Sequence, residues 1–399
     1  MSKMMAVNAG SSSLKWTLFE MPAEEIIAKG IVERVGLPNS IVTIKPTIGD
    51  KVEEILDIDN HEFALNYLLD KLQSLNIIGD LDDLKAVGHR IVSGGEDYAE
   101  SIVITDEVLT KIEELAEFAP LHNPPEAKVV RIFKKILPNV VNVAVFDTAF
   151  HQTLPDENYL YSISYDYYKK YQARKYGAHG TSHKYVTNQY LELAGQPKHS
   201  KIITCHLGNG ASITAVKDGK SIDTSMGFTP LAGVTMGTRS GDIDPSLIAY
   251  LMEKEGISNI QDFIDILNKK SGILGLSGIS SDMRDLRDAR KKGDAKADLA
   301  IRIFCNRIAK YIGSYMAVLN GCDALVFTGG IGENSDEIRA EICDYLTWFG
   351  VDIDERLNVE MVLGKQGSIT KTNSKVSVYV IPTNEELMII RDTQALINK

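Results

Sequence analysis

The sequence predicts an α/β fold built from two similar domains. A series of strands, helix, strand, helix and strand runs to about residue 148, and the same order then begins again. Each copy starts with a glycine-rich turn between two strand-like runs, one at 10–13 and the other at 208–210. Two buried strands also end directly before polar or glycine-rich residues, at Asp147 and at 328–335, where open α/β sheets usually bind ligands.

The first copy begins with strands, because segment 1–45 alternates short apolar runs with turns. Leucines at helical spacing then predict the first helix, and the prolines at 120, 124 and 125 are expected to break the chain before the third. The expected elements are three or four strands in 1–45, strands at 85–92 and 140–146, and helices at 61–75, 106–118 and about 126–137.

In the second copy the pattern restarts around the second glycine turn. Segment 245–316 is mostly helical and includes a solvated charged stretch at 282–296. The expected strands are 201–205, 211–216, 221–223, 324–327 and 376–381, followed by a last helix at about 384–397.

Composition limits the functional class. The 399 residues are 44% hydrophobic and 24% charged, as in an ordinary globular protein. A formal net charge of -11 argues against a nucleic-acid or anionic-membrane partner, and an anionic substrate would need local arginines. The start of the chain has no apolar segment typical of a secretory signal, and no apolar run reaches the ~18 residues of a membrane span. Four scattered cysteines without metal-ligand spacing indicate reduced core residues of a cytoplasmic protein.

Two turns have the composition of phosphate-binding sites, since successive backbone N–H groups in such turns point into one concavity. In the first, Asn8 and Ser12 precede Lys15, whose ammonium group can lie over phosphate oxygens. A polar hairpin with its lysine in water explains these residues equally well, and the Walker A pattern is absent. The second turn, Gly208-Asn209-Gly210, has an ordinary hairpin as its alternative.

A third glycine-rich segment, 329–334, directly follows a buried strand. Its alternative interpretation is a helix entry capped by Asn334 or Ser335. Both interpretations can hold, because a helix N-terminus is itself an anion site.

Arg90, at the end of an apolar strand, and Arg239, in a loop, are flanked by glycines. Such arginines are well placed to bind phosphate or carboxylate, although a surface ion pair is the alternative. His122 and His179 are candidates to donate to a transferring phosphoryl group or to hold a catalytic loop. The structural interpretation is kept for His89, His151 and His183.

Two acidic residues are candidates for magnesium. Asp147 follows an apolar strand, and Glu385 opens the last helix. Mg²⁺ takes one or two carboxylates together with water and phosphate oxygens, so single acids that are distant in sequence suit it. Capping of a loop or helix is the alternative for Asp147, and favourable charge at a helix N-terminus is the alternative for Glu385.

Taken together, these segments resemble the acetokinase family, within the actin-like ATPase superfamily, over nearly the whole chain. The motifs that carry the resemblance are VNAGSSSLK (7–15), GHR (88–90), APLHNP (119–124), FDTAFH (146–151), YGAHGTSH (176–183), HLGNGAS (206–212), DTSMGFTP (223–230), GTRSGDIDP (237–245), FTGGIGENS (327–335) and PTNEEL (382–387).

The resemblance implies two duplicated actin-like (ribonuclease H-like) domains with a nucleotide cleft between them. Residues 1–148 with 386–399 would form an acetate-binding lobe, and 149–385 a nucleotide-binding and dimerisation lobe. The implied activity is reversible, Mg²⁺-dependent transfer of the γ-phosphoryl group of ATP to acetate, giving acetyl phosphate and ADP by direct in-line transfer. The implied protein is a cytoplasmic homodimer, with Mn²⁺ as an alternative ion.

The resemblance also implies roles position by position. Catalysis is assigned to Asp147, His179 and Arg239, and metal binding to Asn8 and Glu385. Substrate binding is assigned to Arg90, Val92, Leu121, His122 and Pro230. Nucleotide binding is assigned to Ser12, Lys15, His206, Leu207, Gly208, Asn209, Gly210, Asp282, Met283, Arg284, Gly330, Ile331, Gly332, Glu333 and Asn334. Because acetate is already an anion near neutral pH, Asp147 is expected to orient magnesium, water or Arg90 rather than accept a proton.

Two positions depart from the family pattern. Ala178 stands where members usually have phenylalanine, and Ser93 where they usually have histidine. Since the first position borders the acyl pocket, a propionate or butyrate kinase of the same fold is one alternative. A second alternative, from another class, is a non-catalytic actin-like nucleotide-gated binding protein, which would need no acceptor pocket.

Overall fold

The computed structural model describes residues 2–120 and 122–398. The strands are β1 Ser2–Gly10, β2 Ser13–Met21, β3 Glu25–Glu33, β4 Ser40–Pro46, β5 Val52–Leu56, β6 Leu84–Ile91, β7 Ile102–Val103, β8 Val141–Phe146, β9 Lys201–Leu207, β10 Ala211–Lys217, β11 Lys220–Thr224, β12 Ala324–Thr328, β13 Gly367–Ser368 and β14 Ser377–Val380.

The helices are α1 His61–Ser74, α2 Asp106–Glu114, α3 Asn123–Ile136, α4 Asp156–Tyr159, α5 Tyr165–Tyr171, α6 Gly180–Leu193, α7 Pro245–Glu255, α8 Ile260–Lys269, α9 Gly272–Ser277, α10 Met283–Lys291, α11 Ala295–Leu319, α12 Gly329–Asn334, α13 Asp336–Asp344, α14 Glu355–Glu360 and α15 Glu385–Ile397. They lie between the strands along the chain or after the last one, and five of them, α7 to α11, follow one another between β11 and β12. Short 3₁₀ helices cover Leu81–Asp83, Leu115–Glu117, Ala149–Thr153 and Thr347–Phe349. In the part of the chain that the structure describes, none of these helices has the length and apolar character that crossing a bilayer requires.

The chain divides into two compact units. Unit 1 comprises Met1–Phe150 with Asn384–Lys399, and unit 2 comprises His151–Thr383. These junctions differ from the expected ones by two residues each, 150 against 148 and 384 against 386. The last helix therefore belongs to the same unit as the first strands.

The two units repeat one sheet topology. The strand order is β5-β4-β3-β2-β1-β6-β8-β7 in unit 1 and β11-β10-β9-β12-β14-β13 in unit 2. In unit 1, β1 is antiparallel to β2 and parallel to β6, and β6 is parallel to β8. In unit 2, β9 is antiparallel to β10 and parallel to β12, and β12 is parallel to β14. The predicted α/β fold of two similar domains is confirmed.

This topology places the motif-bearing segments at one sheet edge in each unit. Parallel strands end at a common edge, so the β1–β2 turn, Arg90 and Asp147 belong to the same edge of the first sheet. For the same reason, the turn at 208–210 and the segment after β12 share an edge of the second sheet.

Each unit has its own apolar core. In unit 1 buried leucines of α1 and apolar residues of α3 pack on the sheet, as the leucine spacing predicted. Helix α15 packs against β6 at Gly88, where a Cβ would lie 2.4 Å from Thr393 Oγ1 and 2.5 Å from Ile389 Cγ2. In unit 2 the 25-residue helix α11 packs along the sheet and supplies much of the core.

Two predicted helices have other ends in the structure, since α2 ends at Glu114 rather than 118 and α3 starts earlier than expected. Helix α3 begins at Asn123 rather than 126, because Pro124 and Pro125 occupy its first positions, where the missing N–H groups need no partner. The charged stretch at 282–296 is largely exposed and in part helical, as expected. It contains α10, which buries Met283 and Leu286 on one face.

Candidate active site

An arginine and an aspartate meet at the sheet edge of unit 1. Arg90 is the next-to-last residue of β6, and Asp147 directly follows β8, so their parallel strands bring them together. Arg90 donates from Nε to Asp147 Oδ2 at 3.0 Å and also from Nη2 to the same oxygen. Asp147 is buried, and the Arg90 side chain is 20% exposed.

Three carboxyl groups lie around the single positive charge of Arg90. Burial by itself would lower the pKa of its guanidinium, but Asp147, Glu385 and Glu126 together raise that pKa above its ordinary value. Nε and Nη2 are both used on Asp147, whereas no hydrogen bond joins Nη1 to any residue in 2–120 or 122–398. The Nη1 edge is therefore the part of this guanidinium that can bind a further carboxylate.

Glu126 is a buried carboxylate that the sequence analysis missed. It lies in the first turns of α3 and accepts the Val92 N–H at 2.9 Å. Burial raises its pKa to about 7, although Arg90 and the Val92 N–H act in the opposite direction. An acid in a first helical turn is common, so its sequence context gave no signal of this role.

Helix α3 fixes the loop after β6 through a second side chain. Asn123 Oδ1 accepts the Ser93 N–H at 3.1 Å, and Asn123 Nδ2 donates to the Ser93 carbonyl at 3.0 Å. The adjacent Gly94 N–H donates to Thr148 Oγ1 at 3.0 Å. These buried bonds give the segment that follows Arg90 a defined position.

The predicted acyl-binding residues lie in both units. In unit 1 Val92 is buried beside Arg90, and His122 is an exposed residue just before α3. Leu121 lies outside the described residues. In unit 2 the Pro230 carbonyl accepts a long hydrogen bond of 3.4 Å from Arg239 Nη1.

The first glycine turn carries the candidate metal and phosphate residues of unit 1. Asn8 and Lys15 are opposite each other in the β1–β2 register. Lys15 forms an ion pair with Glu386, and its side chain is 55% exposed. Glu385 opens α15 next to this pair, and the Asn384 side chain caps that helix by accepting the Leu387 N–H at 3.0 Å.

The residues present fit a divalent cation. Burial raises the pKa of Glu385 to about 7, and repulsion by Asp147 adds to this, while Arg90 and Lys15 oppose it. A buried carboxylate that is repelled by other carboxylates gains stability when a cation binds. With the amide oxygen of Asn8 it would supply oxygen donors, which Mg²⁺ prefers. In the described part of the chain no three His, Cys, Asp or Glu side chains could hold a metal together, so water or substrate oxygens would have to complete the coordination.

In unit 2 the second glycine turn is joined to the loop that carries Arg239. The Gly237 N–H donates to the Asn209 carbonyl at 2.9 Å. A Cβ on Gly237 would lie 1.7 Å from Asn209 Oδ1, so the two segments approach each other more closely than any side chain allows. The absence of a side chain at Gly237 thus allows the loop that carries Arg239 to lie against the turn.

Three polar groups converge at Gly210. His179, which has a positive φ of 56°, stacks its ring on that of His206 with centroids 4.4 Å apart. A Cβ on Gly210 would be 3.3 Å from His179 Nε2 and 3.5 Å from Arg239 Nη1. The absence of a side chain at Gly210 therefore leaves a space faced by an imidazole and a guanidinium.

Arg239 has no anionic partner within the described residues. Its contacts are the Pro230 carbonyl and Met236 Sδ, at 3.4 and 3.8 Å from Nη1. Burial lowers the pKa of the guanidinium, and no carboxylate offsets that effect. A half-buried arginine that lacks a counter-ion is chemically suited to an anionic ligand.

A cavity of about 650 Å³ lies beside this turn, within the size range of small-ligand pockets. Predicted nucleotide residues that line it are Gly208, Asn209, Asp282, Met283, Arg284, Gly330, Ile331 and Asn334. The sequence analysis missed Ser281, Arg287, Ser335 and Leu363, which also line it. Leu363 is distant in sequence, and a hydrogen bond of 3.0 Å from its N–H to Asn334 Oδ1 brings it to the cavity.

Other predicted nucleotide residues serve the scaffold of the cavity or lie elsewhere. Glu333 accepts the backbone N–H groups of Gly329 and Thr383 at 2.8 and 3.0 Å, so its carboxylate ties two segments together. The buried or half-buried residues His206, Leu207, Gly210 and Gly332 support the turn and α12. The remaining two, Ser12 and Lys15, belong to unit 1.

Comparison with known proteins gives one family. The model of the acetokinase family matches residues 3–391. The acetate kinase of Enterococcus faecalis is 60% identical over 397 residues, which are 99% of this chain and 100% of that protein. The acetate kinase of Bacillus subtilis is 54% identical over 397 residues, with the same coverage.

Solved structures agree with this. The crystal structure of Porphyromonas gingivalis acetate kinase has a TM-score of 0.95 and 45% identity, with both chains covered completely. A propionate kinase from Francisella tularensis has a TM-score of 0.93 and 44% identity, covering 99% of this chain and 100% of that one.

Proposed function

The chain belongs to the acetokinase family and transfers a phosphoryl group from ATP to acetate, and we propose that the transfer is direct, in line, reversible and Mg²⁺-dependent. Residues of unit 1 bind the acceptor carboxylate, and residues of unit 2 bind the nucleotide. The products of the forward reaction are acetyl phosphate and ADP.

The observation that carries this proposal is the unpaired guanidinium of Arg239. Within the described residues it meets no carboxylate, and its Nη1 and His179 Nε2 face the same space above Gly210. A transferring phosphoryl group spreads negative charge over its equatorial oxygens. Donors fixed in place before the reaction stabilise that charge without reorganising.

On the acceptor side, Arg90 binds the acetate carboxylate through Nη1, while Asp147 holds the other edge of the guanidinium. Acetate is ionised near neutral pH, so the reaction needs no general base to form the nucleophile. Its difficulty is repulsion between an anionic acceptor and the triphosphate. Asp147 therefore orients Arg90 and does not remove a proton.

Asn8 and Glu385 are the residues of this chain that would hold the divalent ion, which is Mg²⁺ with Mn²⁺ as the alternative. When bound, the ion supplies positive charge to the phosphate oxygens of the nucleotide. Lys15, opposite Asn8 in the hairpin, adds a flexible point charge for the same phosphates once it leaves Glu386.

We also propose that the enzyme is a cytoplasmic homodimer. Four side chains of one short segment of unit 2 are more than half exposed, namely Ile163, Tyr165, Tyr167 and Tyr171. Exposed aromatic and aliphatic side chains in one segment favour a protein partner, and a second copy is the simplest one. The four cysteines are free, as in proteins of reducing compartments.

Trapping of the acyl phosphate with hydroxylamine tests the activity. We expect hydroxamate to form from acetate when ATP and Mg²⁺ are present, and none without ATP. Ala178 supports propionate as a second acceptor, and because one methylene is worth only ~1–3 kcal/mol, kcat/KM for propionate should be within about 200-fold of that for acetate.

The same assay separates the alternatives. Higher kcat/KM for propionate or butyrate than for acetate would reassign the preferred acceptor. ATP binding without any hydroxamate from these acids would contradict phosphoryl transfer and favour a nucleotide-gated binding protein.

A further inference from the structure

A chain of hydrogen bonds leads from the His179 ring into the core of unit 2. His179 Nδ1 lies 2.9 Å from Ser212 Oγ, which lies 2.7 Å from His183 Nε2. On the far side of the same ring, His183 Nδ1 lies 2.7 Å from Thr204 Oγ1. Ser212, His183 and Thr204 are completely buried. The chain therefore consists of two imidazoles joined by one hydroxyl and closed by another.

His183 is neutral in this environment. Burial lowers its pKa well below the ordinary value for histidine, and the neighbouring His151 and His206 act in the same direction. A neutral imidazole has one N–H donor and one acceptor nitrogen. Each hydroxyl also has only one proton to donate. The proton positions along the chain are consequently coupled, and only two arrangements run in one direction through all three bonds. A third arrangement, in which Ser212 accepts from both rings, leaves the buried Ser212 hydroxyl proton without a use.

In the first arrangement Thr204 donates to His183 Nδ1, His183 Nε2–H donates to Ser212, and Ser212 donates to His179 Nδ1. In the second arrangement every bond is reversed, so that His179 Nδ1–H donates to Ser212 and His183 Nδ1–H donates to Thr204. The two arrangements differ in how Thr204, at the buried end of the chain, uses its hydroxyl group. When Thr204 accepts, no residue within 2–120 or 122–398 is placed to accept its own hydroxyl proton.

The energy of that unused donor decides the direction. A buried hydroxyl without an acceptor costs about 1–3 kcal/mol. In the first arrangement the hydroxyl protons of Thr204 and Ser212 and the proton on His183 Nε2 are all donated within the chain. The first arrangement is thus the most stable one, and it leaves the His179 proton on Nε2.

We propose that Ser212 and His183 are positioning residues that hold His179 as the Nε2–H tautomer, so that this nitrogen donates a hydrogen bond to the transferring phosphoryl group. The proposal rests on the proposed function, since it concerns the same site. It assigns a purpose to this buried polar chain: His179 can act as a neutral donor and does not need to be protonated.

The position of Nε2 agrees with this role. The ring atom that would carry the proton faces the space above Gly210, together with Arg239 Nη1. The opposite ring nitrogen is the one that Ser212 contacts. The reversed tautomer would instead present a lone pair from Nε2 to an anionic group, which is repulsive.

Histidine tautomers can be read directly by NMR. We would label the histidines with ¹⁵N, record two-bond ¹H–¹⁵N correlation spectra at about pH 8, where histidine is neutral, and assign His179 and His183 from single substitutions. The wild-type protein should show both residues with the proton on Nε2. A wild-type spectrum with the proton on Nδ1 of either residue would overturn the proposal without any variant of Ser212.

Ser212→Ala removes the link between the rings. We expect its His179 signal to become a mixture of both tautomers. Its kcat should fall on the order of tenfold to a hundredfold, with KM for ATP and acetate nearly unchanged. Thr214→Val is the matched control, because Thr214 is the register partner of Thr204 and is buried, but it bonds Thr224 rather than the chain. It should leave the His179 tautomer and kcat unchanged.

The outcomes are distinct from failure of the proposed function. If Ser212→Ala retains a single Nε2–H tautomer at His179, or retains the wild-type kcat, the positioning role is wrong. If the wild-type protein forms no acyl phosphate, the proposed function fails, but the tautomer measured in the spectrum still tests the hydrogen-bond chain.

Discussion

Buried polar residues of unit 1 are arranged in bonded sets. Asn142 interrupts the apolar run of β8, and His89 Nε2 lies 2.8 Å from its Oδ1. Burial lowers the pKa of His89 to about 4, so the ring is neutral and the pair is a structural one. Glu126 differs, because its carboxylate has both a structural partner, the Val92 N–H, and a charged neighbour, Arg90.

The raised pKa of Glu126 makes a prediction about stability. The folded protein holds this proton up to pH about 7, whereas an ordinary glutamate releases it near 4.5. The contribution of Glu126 to stability is therefore full below about 4.5 and is lost as the pH rises through 7. Glu126→Gln keeps an acceptor for Val92 and avoids this loss, which amounts to up to about 3 kcal/mol.

Thermal unfolding checks this expectation. The Tm of Glu126→Gln minus the Tm of the wild type should be larger at pH 8 than at pH 5. Glu114→Gln, at a side chain that is 63% exposed, should show no such trend. A Tm difference for Glu126→Gln that does not change between the two pH values would show that this carboxylate is not the titrating group.

The position of a single residue in the site could be predicted from the sequence where that residue lies at the end of a strand. Arg90 and Asp147 each follow an apolar run, and parallel pairing of those runs brings them together. Glu126 was not predictable, since its burial depends on how α3 packs against the loop after β6. Tertiary packing of this kind leaves no local pattern in the sequence.

At the level of elements, close backbone approaches hold the active-site segments of unit 2 in place. Gly237 contacts the turn at Asn209, and a Cβ there would also lie 3.1 Å from the Ser281 carbonyl. Asn209 and Ser281 both line the cavity. Because Gly237 has no side chain, the turn, the Arg239 loop and the segment before α10 can pack closely against one another.

Gly237→Ala should weaken nucleotide binding. The added methyl group must displace Asn209, and overpacking of this kind costs about 1–3 kcal/mol, so KM for ATP should rise roughly tenfold. Gly313→Ala in α11 is the control, because its Cβ would make only an ordinary contact of 3.8 Å with Phe349. Steady-state kinetics with equal KM values for both variants would contradict the proposed constraint.

Most elements were predictable from periodicity, and the exceptions have physical causes. The prolines before α3 were interpreted as a break, although proline is favourable in the first turn of a helix. Segment 282–296 was predicted as a solvated, charged part of a mostly helical region, and its charged side chains are exposed or half-buried on α10 and next to it. For α3, the start of the helix rather than its period decided the structure.

For the whole molecule, we expect self-association through the exposed segment that contains Ile163. Ile163→Asp should shift the protein from dimer to monomer in sedimentation velocity experiments, because it places a charge in an apolar contact. Ile48→Asp is the control, since Ile48 is an equally apolar residue, 93% exposed, in unit 1. A monomeric wild type, or a variant that dimerises as tightly as the wild type, would contradict this assignment.

The central claim is that the unpaired Arg239 guanidinium stabilises the transferring phosphoryl group, and the kcat of Arg239→Ala tests it most directly. We predict a loss of about 10²–10⁴-fold in kcat with KM for ATP little changed, because the charge develops only in the transition state. Arg302→Ala, at an exposed arginine of α11 paired with Asp298, should retain wild-type kinetics. A kcat for Arg239→Ala near that of the wild type would contradict the claim.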